Sequence, residues 1–402
     1  MQLVEKHIIK PGHKFYFEID RLSFLSKNLF NSANYIYRQD FFAGRKTDAT
    51  AVYHKLKNGI DYKALPAKVA TEVLRQVFKA WASYYAAIRE YRQNPGYFKS
   101  EPRIPKYKHK IAGRNVVGYN YQAVSKRALK KGLIHPSGTC VKLKTSVSAV
   151  DQVRFVPLTG GYKVEVIYPK EEPRQQLPSE RVAAIDLGLN NLATLTSNVR
   201  ELKPQLYDGK AIKAANQYAN KRNAVARSQL PSSVKNSRRI EKLWRKRNDK
   251  VDYYLHLTSR AIINQLVSRK IGTLIIGWNP NFKDGINIGR VNNQKFVCIP
   301  HRRLIQQLEY KGLLAGIKVI TTEESYTSKC SAPDLETICF HSAYLGRRVK
   351  RGMFKTSSGL MVNADVNGSL NIGRKVVGDG YVPNSIEDVV VHPVRVKPYK
   401  PV

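Results

Sequence analysis

The apolar positions of this chain change period along its length, and the changes outline its elements. Val182 to Ile185 form a continuous apolar run that leads into Asp186, the pattern of a strand buried on both faces. Asn191 to Thr196 then alternate as a half-buried strand does, so the two predict a hairpin with an acid at its mouth. A carboxylate at the end of a core strand is costly unless it is paired, hydrogen-bonded or bound to a metal. An Asp before a Gly turn is also an ordinary turn-maker, so Asp186 alone decides nothing. Further on, Thr273–Ile276 reads as a buried strand, Ile299–Leu314 as a helix and Ile317–Thr322 as a strand. Near the other end MVNADVNGSLNIGRK sets Asp365 ahead of a second helical pattern. Strands alternating with helices after a hairpin predict an α/β core.

The first half reads differently. Residues 1–18 predict a strand, with Phe15 and Phe17 alternating against polar neighbours. From Asp20, a candidate cap, Leu22, Leu25, Leu29, Ala33 and Ile36 keep helical spacing until Gly44. A second helix starts at Pro66, carries Val69, Val73, Val77, Trp81, Tyr85 and Ile88 on one stripe, and closes near Asn94 ahead of Pro95–Gly96. Its other face presents Lys68, Thr71, Glu72, Arg75 and Lys79, a pattern that an ordinary solvated face shares. Beyond the basic, Pro-stiffened PRIPKYK, short strands near Val116–Val117, Val141–Leu143, Val153–Phe155 and Tyr162–Ile167 are separated by Gly and Pro. Pro173 to Pro178 reads as a linker and marks the main boundary. Lys210 to Gly272 reads as a basic helical region, Asn279 to Gln294 as a loop, and the tail beyond Gly378 as extended and peripheral.

Charge changes the picture most. Sixty-nine Lys and Arg against 30 Asp and Glu give +39, a field that attracts polyanions. With 42% hydrophobic and 10% aromatic residues the chain builds real cores, which separates it from a disordered basic tail, and 23 Tyr suit base stacking as well as packing. Eight of the sixteen residues from Lys235 to Lys250 are cationic, on a helix whose Ile240, Leu243, Val251, Tyr254, Leu255, Ala261, Ile262 and Leu266 make one apolar stripe. Lys235, Arg238, Arg239, Lys242, Arg245, Lys246 and Arg247 are therefore candidate phosphate contacts. The four cysteines have no framework spacing, and no signal-like or membrane-length apolar run occurs, so a cytoplasmic location is expected.

Three stretches, IDLGLNNLATL, EESYTSKCS and NADVNGSLNI, resemble the first RuvC motif, the segment before the last motif and the last motif of TnpB proteins. The opening LVEKHIIK and PRIPKYK extend the likeness over essentially the whole chain. These are transposon-encoded RNA-guided DNA nucleases, related to type V CRISPR effectors. The resemblance implies an α/β and β mixed, multidomain fold with an RNase H-like (RuvC) nuclease core over 179–378. It also implies a β-barrel wedge domain from 1–18 plus 102–175, a helical recognition lobe at 19–101 contacting a duplex motif beside the target, and a tail at 379–402. Guide RNA and target double-stranded DNA are the implied partners, and a monomer is favoured.

Phosphodiester hydrolysis by this family implies two Mg²⁺ ions, with Mn²⁺ as a substitute, held by at least three acids. Asp186 and Asp365 supply two. The usual third, a Glu just past Leu274–Ile276, is Gly277 here, and Asp284 lies too far along the loop. Some relatives carry a displaced acid, and the pattern Glu, any residue, Tyr, Thr, Ser matches Glu324. Neighbours on a strand face opposite ways, so Glu323 is the alternative, and a site lacking a third acid is the other. The family's zinc-ribbon segment, 325–360, keeps only Cys330 and Cys339, with His341 as a further ligand on paper, so no zinc is expected. The basic run Arg347–Arg351 reads as a loop over the substrate strand. Two rival readings stand beside the nuclease: an RNA-guided repressor that has lost cleavage, and a compact CRISPR-associated effector.

Overall fold

The computed structural model describes residues 1–173, 177–234, 236–279, 298–382 and 392–399. Lys235, Asp284, most of the Asn279–Gln294 loop and part of the tail lie outside them. The chain divides into two compact units, Met1–Glu171 and Glu172–Val402.

In the first unit Gln2–Ile9 pairs antiparallel with Gly161–Pro169 along its whole length, from Gln2 opposite Pro169 to Ile9 opposite Tyr162. Gln152–Leu158 and Val117–Asn120 complete a four-stranded sheet. The strand ends at Ile9, so Phe15 and Phe17 do not alternate in it as expected. They stand where the helix Tyr16–Phe42 begins, with Phe15 at the cap position and Phe17 exposed. Asp20 is likewise no cap: it lies inside that helix, where its carboxylate accepts from Arg114 and from the Tyr162 hydroxyl. The second helix, Ala67–Gln93, has Pro66 and Asn94 at its flanks as the pattern predicts, and buries Val69, Val73, Val77 and Trp81. Tyr85, expected on the stripe, is exposed. Trp81 stacks on Tyr37 and donates to Asn34 Oδ1 at 2.8 Å, satisfying its one polar atom in the core. Two short helices, Ala49–Leu56 and Ile60–Lys63, occupy what the sequence left as a connection.

The second unit is built on a six-stranded mixed sheet. Val182–Asp186 lies inside it, antiparallel to Asn191–Ser197 and parallel to Thr273–Gly277, which is in turn parallel to Lys318–Thr322. Asp186, Gly277 and Thr322 therefore end three parallel strands at one edge, where α/β sheets place their sites. The expected helical region is two helices, Lys210–Ser228 and Arg238–Ser268, broken around Pro231, and the predicted stripe packs inward through Ile240, Val251, Leu255, Ile262 and Leu266. Ala364–Val377 covers the sheet through Val366, Leu370 and Ile372.

Two expectations fail here for the same reason, that tertiary pairing recruits segments without strong local signals. The tail is not peripheral: Tyr381 is fully buried, and Val394–Val396 adds a strand parallel to Gln205–Asp208. Arg347–Lys350 is no loop but a strand of a three-stranded sheet with Met353–Lys355 and Met361–Asn363.

Candidate active site

Asp186 closes its strand half-buried, its carboxyl crowded by neighbouring protein. Burial, then the neighbouring Asp365 and Glu324 carboxylates, push it from 3.8 up to about 8, and the opposing pull of Arg348 and the Leu187 amide is weaker. Asp365 comes from the first turn of Ala364–Val377, whose start is capped by the Asn363 side chain. The Asn191 amide donates to Asp365 Oδ2 at 2.8 Å, and Arg348 Nη2 lies 3.7 Å from Oδ1. Helix and strand meet closely because residue 368 is Gly: a Cβ there would sit 2.8 Å from Asp186 Oδ2.

Glu324 and Glu323 part company. Glu324 is half-buried, and its carboxyl is raised by burial and by Glu323. Glu323 turns outward to Lys375 Nζ at 2.8 Å and to Ser325, which hold its carboxyl below the usual range. Gly277 explains where Glu324 goes. A Cβ at 277 would lie 2.4 Å from Ile372 Cδ1 and 3.1 Å from Glu324 Oε2, so the space that a side chain would enter at 277 is filled first by Ile372 and then by the acid that follows the next strand.

Asp186, Asp365 and Glu324 offer carboxylate oxygens, the donor type that hard cations such as Mg²⁺ or Mn²⁺ take. Among the described residues no three Asp, Glu, His or Cys groups converge tightly enough to hold one ion together, so the cluster is open rather than a closed cage. Cys330 is buried and gives its thiol to the Cys339 carbonyl, while Cys339 Sγ lies 3.4 Å from His341 Nε2.

The raised carboxyl of Asp186 sets a pH dependence. Folding favours its protonated form, so its contribution is fully present below about pH 4, the range of a free carboxyl, and is lost as pH rises through about 8. At pH 8 in a chelator, Asp186→Asn should melt above the wild type by several degrees, on the order of 2 kcal/mol once solvent screening is allowed for. Added Mg²⁺ should raise the wild type and leave the variant unmoved. Equal melting across pH 4 to 8 would sink this account.

The basic candidates separate on inspection. Lys242 and Lys246 are exposed on the Arg238–Ser268 helix, as is Arg238. Arg239 donates to Gln229 Oε1. Arg247 is half-buried and donates to Asn216, Asn248 and the Cys298 carbonyl, so it ties elements together within the protein. Arg245 is half-buried, and Lys235 lies outside the described residues. In the first unit Lys68 is exposed and Arg75 stands 3.8 Å from Glu72, whereas the Thr71 hydroxyl is spent on Ala67 and Tyr62. Asn191 and Arg348 are the site neighbours that sequence reading passed over. Asn191 lay within a quoted motif and Arg348 within a basic run, but only the fold brings them to Asp365.

Two family models match separate stretches of the chain. The model of probable transposases of the OrfB_IS605 type matches residues 162–281, and that of the Cas12f1-like TNB domain matches 301–372. The TnpB-like protein ORF457 of Acidianus two-tailed virus is 25% identical, over 95% of this chain and 89% of its own. The CRISPR-associated endodeoxyribonuclease Cas12f2 of a Micrarchaeota archaeon is 27% identical over 39% of this chain and 30% of its own. In fold, the chain is similar to Cas12f1 in its complex with sgRNA and target DNA, with a TM-score of 0.55 at 13% identity, over 89% of this chain and 82% of that one. The likeness that runs through most of the chain is thus to a TnpB-like protein in sequence and to Cas12f1 in fold. No described helix is long and apolar enough to cross a membrane.

Proposed function

We propose that this protein is an RNA-guided DNA endonuclease whose RuvC-like, RNase H-like core cuts with Asp186, Glu324 and Asp365. One observation carries the reading: Glu324 Oε2 lies where a side chain from Gly277 would go, beside the carboxyl of Asp186. Two divalent ions bound by these acids would supply an activated water and charge neutralisation at the scissile phosphate. The protein's own part is to hold the three carboxylates at one sheet edge, with Asn191 orienting Asp365 and Gly368 admitting the helix that carries it. Arg348, 3.7 Å from Asp365, is placed to meet a phosphate oxygen and to balance charge as the strand enters. The open carboxylate cluster is the observation that favours the rival, a guided repressor without cleavage.

The N-terminal unit takes the remaining roles in this reading. Its sheet serves as the wedge, and its helices as the recognition lobe, with Lys68 and Arg75 toward the duplex beside the target. Guide pairing reads the sequence, while the protein reads the short motif and the heteroduplex shape. Because +39 of charge spread over separate segments calls for a long polyanion, the purified protein should carry one enriched structured RNA of roughly hundred-nucleotide scale. Sequencing the copurified RNA tests this, and bulk cellular RNA with no enriched transcript would refute guide dependence.

A further inference from the structure

The helices Lys210–Ser228 and Arg238–Ser268 enclose an open groove of about 670 Å³, within the range of small-ligand sites. The methyls of Ala214, Ala215 and Ala219 line it, from exposed Ala214 to buried Ala219. Its rim carries Arg222, Lys242, Lys246 and Lys250, all exposed and without an acid partner among the described residues. No described lining residue is acidic, and Tyr218, 62% exposed, presents its ring at the edge. A phosphate track needs cations alone. The methyl lining and the exposed ring add what the flat face of a base would bury.

We infer that this groove takes one unstacked nucleotide of a bound RNA, its base against the alanine methyls and Tyr218 and its flanking phosphates on Arg222, Lys242 and Lys246. RNA is the occupant because its bulges and loops present unpaired bases before any target is engaged, whereas DNA offers them only after its duplex has been opened at a cost of a few kcal/mol. The charge of the rim excludes a cationic or apolar partner. The inference rests on the reading that the chain binds a structured RNA, and assigns a place on the protein to one feature of that RNA.

The test compares two synthetic hairpin RNAs of equal stem length, one with a single bulged adenosine, by fluorescence anisotropy on the full chain stripped of copurified RNA. The wild type should prefer the bulged hairpin roughly tenfold, the factor one base stack supplies. Ala214→Phe fills the groove at an exposed position and should erase that preference while leaving the salt dependence unchanged. Tyr218→Ala should weaken it, and Tyr218→Phe should restore it. Lys242→Ala with Lys246→Ala should instead weaken both hairpins alike and lower the salt slope. A preference that survives Ala214→Phe in a variant with a wild-type melting curve would overturn the inference. So would equal, tight binding of both hairpins, in which case RNA binding itself would stand. If neither hairpin binds better than duplex DNA of the same length, the RNA reading falls with it.

Discussion

Guided cleavage by Glu324→Gln falls on the order of 10³-fold, the several kcal/mol that a shared metal centre supplies to phosphodiester hydrolysis. Gln keeps the shape of the side chain and removes only its charge, and partial burial and Glu323 both disfavour that charge in the folded protein. The variant should therefore melt at or above the wild type in a chelator, so a loss of activity with no loss of fold isolates the chemistry. Asp186→Ala should cost about as much, and the double variant no more, since groups that serve one step do not add. Glu323→Gln should cut nearly as well as the wild type, because it breaks only outward contacts with Lys375 and Ser325. Cleavage by Glu324→Gln at the wild-type rate would remove this acid from the site.

The second large effect is a relocation. Gly277→Glu alone should be crippling, because its Cβ would press on Ile372 and Glu324, and its charge would join carboxylates that already repel one another. Glu324→Ala empties the space that the new side chain needs. Combining the two should return cleavage to at least about tenfold above Glu324→Ala alone, a strongly non-additive pair of the kind expected for residues in contact. Ile372 need shift only the end of a flexible side chain. A folded double variant no faster than Glu324→Ala would mean that positions 277 and 324 do not exchange one function.

Much of this was legible in the chain, for identifiable reasons. The Asp186 hairpin was readable because its strand is buried on both faces and so appears as an uninterrupted apolar run. The Ala67–Gln93 helix was readable from punctuation, with Pro66 before it and Asn94–Pro95 after. What escaped notice has little local signature. Val394–Val396 is a three-residue strand defined by its partner, and the burial of Tyr381 follows from packing under a helix distant in sequence. The entry to Tyr16–Phe42 misled because Phe15 and Phe17 mimic a strand's alternation over too few residues. For Thr71 and Arg247 the sequence shows a donor but not the protein groups it is bonded to. That Gly277 lacks an acid while Glu324 follows the next strand is visible in the sequence, whereas the closeness of Ile372 and Glu324 to position 277 needed the structure.

The central claim is that these three acids make one working metal site, and guided cleavage by the wild type measures it most directly. The protein carrying its own enriched RNA is mixed with a linear duplex matched to the guide region, with chelator, Mg²⁺ or Mn²⁺, alongside Glu324→Gln and Asp186→Ala. The account predicts cutting by the wild type in either cation, none in chelator, and none above background by either variant, with target binding retained in all three. A wild type that binds its matched target yet leaves it intact in both Mg²⁺ and Mn²⁺ would contradict the account and leave the guided repressor in its place.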